Sequence, residues 1–201
     1  MTAIGIIDYG MGNLHSVQKA LQAVGTPAEL VAEAGRLAHY DKLILPGVGA
    51  FGDAMASLAQ RGMTAGIPAA IAAGTPLLGI CLGMQLLFSE SEEMGQHAGL
   101  NILPGAVRRL RVSAKVPHMG WNQVKQRVAC PLFENVEDGA FVYFANSYVV
   151  VPAQGAVIAG ETEYETTFAS VIWHASVYGV QFHPEKSQRV GLQMLKNFVA
   201  L

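Results

Sequence analysis

The sequence predicts a three-layer α/β fold, in which a mostly parallel central sheet has helices on both faces and added antiparallel hairpins. Three observations support this class. Short apolar runs alternate with segments of helical periodicity in the first half of the chain, which favours parallel strands joined by crossover helices. Hydrophobic residues make up 51% of the chain and charged residues 14%, as expected for a sheet buried on both faces. Beyond residue 104, β-branched and aromatic runs indicate further strands.

The first half of the chain consists of predicted strand-loop-helix units. The predicted strands are residues 3–8, 27–31, 42–45 and 77–80, and helical patterns begin near residues 14, 53 and 82. Leu14, Val17 and Leu21 illustrate the helical spacing. The helix after the fourth strand is expected to cover roughly residues 82–90.

The segment of residues 62–89 contains no charged side chain, and a membrane-spanning helix needs only about 20 apolar residues. However, Pro68, the Gly74-Thr75-Pro76 stop and Gly79 divide it into short pieces. We therefore expect a helix, a buried strand and a second helix here, and no membrane span.

The second half of the chain is predicted to add hairpins to one end of the parallel sheet. The predicted strands are residues 107–112, 140–144, 149–151, 156–159, 168–173 and 177–182. Val190, Met194 and Phe198 then indicate a closing amphipathic helix. No internal repeat or linker interrupts the sequence, so we expect one domain over residues 1–201.

Charge and cysteine content exclude several classes of function. A net charge of −2 and a pI near 6.3 provide no basic surface for nucleic acid or for an anionic membrane. Cys81 and Cys130 are too few for a disulfide framework, and the start of the chain lacks the basic stretch of a signal peptide. We therefore expect a cytoplasmic protein. The five histidines other than His183 show no metal-ligand spacing, and no metal or organic cofactor is expected.

Residues 79–83 place Cys81 between two glycines, at the junction of a buried strand and a helix. This pattern is typical of a nucleophile elbow with cysteine in place of serine. A thiol at a helix N-terminus is also favoured as thiolate. The alternative is a buried structural cysteine, which is the commoner role of a lone Cys. The flanking glycines favour the nucleophile.

A candidate base for this thiol is His183, followed by Pro184 and Glu185. In extended backbone, residues i and i+2 project to the same side. Glu185 could then accept a hydrogen bond from one imidazole nitrogen while the other faces Cys81. Alternatively, these residues form an ordinary loop in which Glu185 favours a helix N-terminus. Their combination with the cysteine elbow predicts a Cys-His-Glu triad.

The loop of residues 47–52 matches the spacing G-x-G-x-x-G between a strand and a helix, so a dinucleotide site must be considered. That site also needs an acidic residue roughly 20 positions further on, but there is no carboxylate between Asp53 and Glu90. A loop whose backbone N–H groups bind an oxyanion fits the thiol better. The predicted donors are the N–H groups of Val48, Gly49 and Leu82.

Five motifs together resemble the triad-type, or class I, glutamine amidotransferases. They are similar in particular to the family of glutaminase subunits that serve imidazole glycerol phosphate synthases. The motifs are DYGMGNL at residues 8–14, LPGVGAF at 45–51, CLGMQ at 81–85, PHMGWN at 117–122 and HPEKS at 183–187. The resemblance therefore covers nearly the whole chain.

The resemblance implies that the chain hydrolyses L-glutamine to glutamate and ammonia without a cofactor. The ammonia would pass to a (β/α)8-barrel cyclase in a heterodimer that makes imidazole glycerol phosphate for histidine biosynthesis. On the family pattern, the residues that hold glutamine would be Gly49, Gln85, Glu93, Ser147 and Tyr148. One position departs from this pattern, because Asn146 stands where the family usually has a titratable His.

The resemblance also implies a docking face for the cyclase that includes Asn13, Met119, Trp121 and Lys186. Alternatively, Trp121 is a core residue and Lys186 a solvated charge at a helix entry.

Three other functions are compatible with parts of the sequence. A stand-alone cysteine peptidase would act without a partner. A glutaminase subunit of another synthase, such as the one that makes pyridoxal phosphate, would share the triad but not the segments at residues 8–14 and 117–122. A non-catalytic binding module would not need a reactive Cys81.

Overall fold

The central feature of the computed structural model, which describes residues 2–201, is one sheet of 13 strands. The strands are β1 Ile4–Ile7, β2 Ala28–Val31, β3 Lys42–Gly47, β4 Leu77–Cys81, β5 Phe88–Ser91, β6 His97–Ala98, β7 Leu103–Arg109, β8 His118–Gln126, β9 Ala140–Asn146, β10 Tyr148–Pro152, β11 Ile158–Tyr164, β12 Thr166–His174 and β13 Val177–Val180. The α-helices are α1 Leu14–Ala23, α2 Phe51–Gln60, α3 Met63–Ala72, α4 Leu82–Gln85 and α5 Gln188–Ala200.

Five strands form the parallel part of the sheet, in the order β2, β1, β3, β4 and β13. Every residue of β1, β3, β4 and β13 is buried. Near-continuous apolar runs are the expected sequence pattern for strands that are covered on both faces. The carboxyl ends of β3, β4 and β13 meet at one edge of the sheet.

Helices cover both faces of the parallel strands. On one face, α1 and α5 pack through Val17, Leu21 and Phe198. On the other face, α2 and α3 pack through Leu58 and Ile67. The predicted α/β class with helices on both faces is thus confirmed.

The antiparallel part of the sheet begins at β12, which pairs with β13, and continues through β10 to β7. β11 pairs with β12 and with β8, and β8 forms a hairpin with β9. The sequence did not indicate β8, because most of its residues are polar and only His118 and Val124 are buried. This hairpin brings the end of β9 beside the parallel strands.

Two sequence predictions about single elements were wrong. The helix expected over residues 82–90 is the single turn α4, after which the chain enters strand β5. Residues 86–88 are fully buried, and a short apolar run that is buried on all sides shows no periodicity to distinguish helix from strand. The strand expected at residues 156–159 begins with the 3₁₀ turn Gly155–Val157, and β11 runs on to Tyr164.

Residues 2–201 include no helix with the length and apolar character needed to cross a bilayer. Over the same residues, no group of three or more His, Cys, Asp or Glu side chains is placed to hold a metal ion.

Candidate active site

Cys81 ends β4 and has a strained backbone, with φ 55° and ψ −113°. The turn brings α4 against the sheet, and two glycines allow the close approach. A Cβ atom on Gly79 would lie 2.7 Å from the Cα atom of Met84, and one on Gly83 would overlap the carbonyl group of Leu45. This strand-turn-helix geometry is that of a nucleophile elbow.

His183 follows the carboxyl end of β13, beside the strand that ends at Cys81. Its Nδ1 atom lies 2.8 Å from Oε1 of Glu185, and the two side chains are only 5% and 1% exposed. The backbone of His183 is also held, because its N–H donates to the carbonyl of Tyr143 and its own carbonyl accepts from the hydroxyl of Ser187. The imidazole is therefore fixed in place by side-chain and backbone hydrogen bonds.

The contact between His183 and Glu185 forms through a turn and not, as the sequence suggested, through extended backbone. Pro184–Lys186 is a 3₁₀ helix, closed by a hydrogen bond from the N–H of Lys186 to the carbonyl of His183. Proline favours the first turn of a helix because its fixed φ angle suits that position. The turn carries Glu185 back to the imidazole.

The charge state of His183 reflects opposing influences. Burial alone would lower its pKa, but hydrogen bonds to Cys81 and Glu185 and the charges of both groups raise the pKa to about 9. The second cysteine, Cys130, has no such partner in the site, and burial raises its pKa to about 11. The imidazole of His183 is therefore held as a cation beside the sulfur of Cys81, while Cys130 stays an unreactive thiol.

Cys81 and His183 open into a cavity of about 390 Å³. That volume is typical of a small-molecule site. The cavity is lined by Val48, Gly49, Cys81, Leu82, Gln85, Glu93, Pro117, Ala145, Asn146, Ser147, Tyr148, His183 and Lys186. All the predicted oxyanion and substrate-binding residues therefore lie around one cavity with Cys81 and His183.

Gln85 is buried on α4, and its side-chain nitrogen donates to the carbonyl of Tyr148, 3.0 Å away, and to Oε1 of Gln181, 3.1 Å away. Because the nitrogen has two hydrogens, Oε1 is the group that Gln85 can offer to a ligand in the cavity. Asn146 donates to the same carbonyl of Tyr148 at 3.1 Å.

Glu93 also has a structural contact. Its Oε2 atom accepts a hydrogen bond from the N–H of Phe51 at 2.8 Å. Phe51 is the first residue of α2, where a carboxylate satisfies a free donor and complements the helix dipole. Glu93 therefore anchors the loop of residues 47–52 at the wall of the cavity.

The glycines of that loop are explained by packing. A Cβ atom on Gly47 would lie 2.6 Å from the hydroxyl of Tyr9, and one on Gly52 would lie 2.6 Å from the ring of His97. Gly49 has a φ of +99°, a conformation that side chains rarely adopt. The match to G-x-G-x-x-G therefore needs no dinucleotide.

Comparison with known proteins identifies the family. Residues 5–201 match the family model described as glutamine amidotransferase class-I. The chain belongs to the class I glutamine amidotransferases. It is accordingly an enzyme with a cysteine nucleophile, and Cys81 occupies the elbow.

Several curated relatives of this amidotransferase have the name imidazole glycerol phosphate synthase subunit HisH. The protein from Moorella thermoacetica is 55% identical, over 98% of this chain and 94% of its own length. The one from Syntrophotalea carbinolica is 50% identical, over 97% of this chain and 98% of its own. The one from Aquifex aeolicus is also 50% identical, over 96% and 94%.

Solved structures share the fold at low sequence identity. PurLQS from Thermotoga maritima aligns with a TM-score of 0.78 at 19% identity and covers 100% of this chain and 99% of its own. A second solved structure, that of a glutamine amidotransferase, aligns with a TM-score of 0.78 at 17% identity and covers 99% of this chain and 100% of its own. These likenesses concern the fold alone.

An exposed aromatic face of the amidotransferase borders the cavity. Trp121 is 46% exposed, and Met119 is exposed beside it on β8, so the alternative of a core tryptophan is wrong. Trp121 packs edge-on against Tyr143 at 6.0 Å between ring centroids, and Nζ of Lys186 lies 5.9 Å from the centroid of the Tyr143 ring. Asn13 is partly exposed and lines a small cleft on the other side of His183.

Sequence reasoning missed three residues of this site. Gln181 is fully buried, with its side-chain nitrogen 3.6 Å from the sulfur of Cys81. Tyr143 and Ser187 hold the backbone of His183. Only Gln181 left a signal in the sequence, since it is a polar residue at the end of an apolar strand and two positions before His183.

A larger cavity of about 590 Å³ lies away from the triad, on the antiparallel part of the sheet. It contains Arg108, which pairs with Glu90 and Glu92. None of the triad residues lines it. The smaller cavity is therefore the candidate active site.

Proposed function

We propose that this amidotransferase is the glutaminase subunit of an imidazole glycerol phosphate synthase, which hydrolyses L-glutamine and passes the ammonia to a cyclase subunit. One observation carries the proposal. Cys81 at its strained elbow and His183, which is paired with buried Glu185, open into one cavity that is also lined by Val48, Gly49, Leu82 and Gln85. The names of the relatives supply the synthase, and the family supplies glutamine.

In the proposed reaction, the thiolate of Cys81 attacks the side-chain amide carbon of glutamine. The oxyanion that forms accepts hydrogen bonds from backbone N–H groups of Val48, Gly49 and Leu82. Protonated His183 then gives its proton to the leaving nitrogen, so that ammonia departs and a thioester remains. Water attacks the thioester, His183 accepts its proton, and glutamate leaves as the thiolate is restored. Glu185 holds the tautomer and stabilises the imidazolium, but does not take the proton.

The proposed substrate contacts follow from the cavity lining. Because Gln85 offers an acceptor, it suits the α-ammonium group of glutamine. Gly49 and Ser147 lie on loops of the same cavity, where their backbone N–H groups could hold the α-carboxylate. Glu93 adds negative charge on the ammonium side, and Tyr148 completes the wall. One glutamine amidotransferase domain over residues 1–201 is the organisation that we infer.

The proposed partner is a (β/α)8-barrel cyclase, with which the chain would form a cytoplasmic heterodimer. The assembly would carry out the lyase step of imidazole glycerol phosphate synthesis. The docking face would comprise Asn13, Met119, Trp121 and Lys186. Aromatic residues and methionine are enriched at protein interfaces, and Lys186 of this face also lines the cavity that holds Cys81.

The proposal is tested by glutamine hydrolysis in the presence of the cyclase. Cys81→Ala and His183→Ala should each abolish hydrolysis, whereas Cys130→Ala should retain it because Cys130 lies outside the cavity. Glu185→Gln should lose less than His183→Ala, since the base remains. Substantial glutamine hydrolysis by Cys81→Ala would refute the proposal. Turnover of peptides by the isolated chain would instead support the peptidase alternative.

A further inference from the structure

The side-chain amide of Gln181 is a buried polar group that the proposed mechanism leaves unused. Gln181 lies directly after β13 and is 0% exposed. Its nitrogen contacts the sulfur of Cys81 at 3.6 Å, and its oxygen contacts the side-chain nitrogen of Gln85 at 3.1 Å. A buried amide is costly unless its donor and its acceptor are both paired. Here the two partners are the nucleophile and a residue of the substrate cavity.

The backbone carbonyl of Tyr148 determines which end of the Gln181 amide faces the sulfur. A carbonyl oxygen only accepts hydrogen bonds, so Gln85 must turn its nitrogen toward Tyr148. The same nitrogen lies against Gln181 and donates to it, so the oxygen of Gln181 must face Gln85. The NH₂ group of Gln181 therefore points at Cys81 as a donor.

A donor beside the sulfur stabilises thiolate relative to thiol, because hydrogen bonds to a charged acceptor are the stronger ones. The helix that follows Cys81 cannot supply much of this effect. α4 has only 4 residues, and a single turn aligns few peptide dipoles. Gln181 lies two positions before His183 in the segment after β13, so it gives the sulfur a donor in addition to His183.

We propose that Gln181 is a positioning residue of the glutaminase reaction, which holds the sulfur of Cys81 as thiolate and fixes Gln85 with its side-chain oxygen toward the substrate. The inference rests on the proposed function. It gives Gln181 two separable effects. One acts on the reactivity of Cys81, and the other acts on glutamine binding through Gln85.

The decisive variant is Gln181→Met, which keeps the length of the side chain and removes both the donor and the acceptor. In the full chain, alkylation of Cys81 by iodoacetamide at pH 7 should slow about tenfold or more, as expected for losing a hydrogen bond to a charged group. The pH dependence of alkylation should move to higher pH. In the complex with the cyclase, kcat should fall and KM for glutamine should rise. Packing alone would change neither the pH dependence nor KM.

Ser170→Ala is the matched control. Ser170 is also fully buried, and its hydroxyl accepts a hydrogen bond from Thr162 at 2.8 Å. This variant loses a buried hydrogen bond near Gln181 without touching Cys81, so alkylation and kinetics should stay at the wild-type values. If Gln181→Met does not fold, Gln181→Asn replaces it. The Asn side chain retains the amide group but is one methylene shorter. It should therefore shift alkylation in the same direction.

The outcomes separate this inference from the proposed function. If wild-type Cys81 is not alkylated in preference to Cys130 and glutamine is not hydrolysed, the proposed function fails. If the wild type behaves as expected but folded Gln181 variants keep its alkylation rate, pH dependence and KM, only the role of Gln181 is overturned.

Discussion

The carboxylate of Glu185 and the sulfur of Cys81 together keep His183 protonated. Hydrogen bonds and charge from both groups outweigh burial and raise the pKa of His183 to about 9, from an ordinary value of 6.5. The folded state therefore binds a proton that the unfolded chain releases near pH 6.5. This difference links the chemistry of the site to the stability of the protein.

The first prediction concerns the pH dependence of unfolding. Because the folded pKa of His183 is the higher one, its stabilisation is complete below pH 6.5 and is lost as the pH rises to about 9. Because part of the shift comes from the charge on Cys81, which releases a proton of its own when it becomes charged, the net loss is smaller than the roughly 3 kcal/mol that the full shift corresponds to. Glu185→Gln removes one of the charges and should make this loss smaller. Urea unfolding at several pH values between 6 and 9 measures this loss in the free energy of unfolding.

His183→Gln is the control for this measurement, because it removes the titrating group and leaves Cys81 in place. Its free energy of unfolding should vary least over the same pH range. An equal decline in the wild type, Glu185→Gln and His183→Gln would show that other groups cause the pH dependence.

At the scale of elements, the site depends on how closely α4 approaches β3. Gly83 faces the carbonyl group of Leu45, and a Cβ atom there would overlap it. The same approach sets the strained backbone of Cys81. Strain of this kind costs of order 1–3 kcal/mol and persists only where surrounding packing enforces it. Gly83 therefore supports both the fold and the position of the nucleophile.

The second prediction is that Gly83→Ala destabilises the protein by at least about 3 kcal/mol, since overpacking against backbone cannot be relieved by a rotamer change. Gly35→Ala is the matched control, because a Cβ atom on Gly35 meets nothing within 4 Å. It should change stability by less than about 0.5 kcal/mol. Equal denaturant midpoints for the two variants would contradict the close approach.

The elements that the sequence predicted best are those with a strong local pattern. The apolar strand β4 and the flanking glycines were sufficient to locate Cys81. The amphipathic periodicity was sufficient to predict the closing helix α5. Patterns failed where distant contacts decide the structure. β8 is strand because β9 pairs with it along its length, although its own residues are largely polar. The 3₁₀ turn at Pro184–Lys186 is likewise held by Ser187 and Tyr143.

The same limit applies to the site. Cys81, His183 and Glu185 lie in short motifs, so residue types and spacing were enough to propose them as a triad. Gln181 contacts Cys81 across 100 positions of sequence, and only the parallel pairing of β4 with β13 brings the two together. Sequence reasoning also could not tell that Glu93 caps α2. Such contacts follow from topology, which local patterns do not determine.

At the scale of the whole molecule, Tyr143 on β9 connects the exposed face to the triad. The backbone of Tyr143 on β9 accepts from the N–H of His183 and donates to the hydroxyl of Ser187, while its ring packs against Trp121. A partner that presses on Trp121 therefore acts on the residue that anchors His183. Val48 is exposed at the cavity, between two glycines that leave its peptide free to reorient. Docking could thus adjust both the base and an oxyanion donor.

The last prediction is that the isolated chain hydrolyses glutamine poorly and that the cyclase, with its nucleotide substrate or an analogue, raises the rate. A coupling of a few kcal/mol corresponds to roughly a hundredfold change. Trp121→Ala and Lys186→Ala should weaken assembly or the rate increase, since both side chains flank Tyr143 on the exposed face. Val128→Ala is the control, because Val128 is 43% exposed, close to the 46% of Trp121, but lies beyond the opposite end of β8. Rates with and without the cyclase, and the affinity of each variant for it, measure these effects. An isolated chain with full activity would refute the dependence, and unchanged assembly and rates in both face variants would refute the docking face.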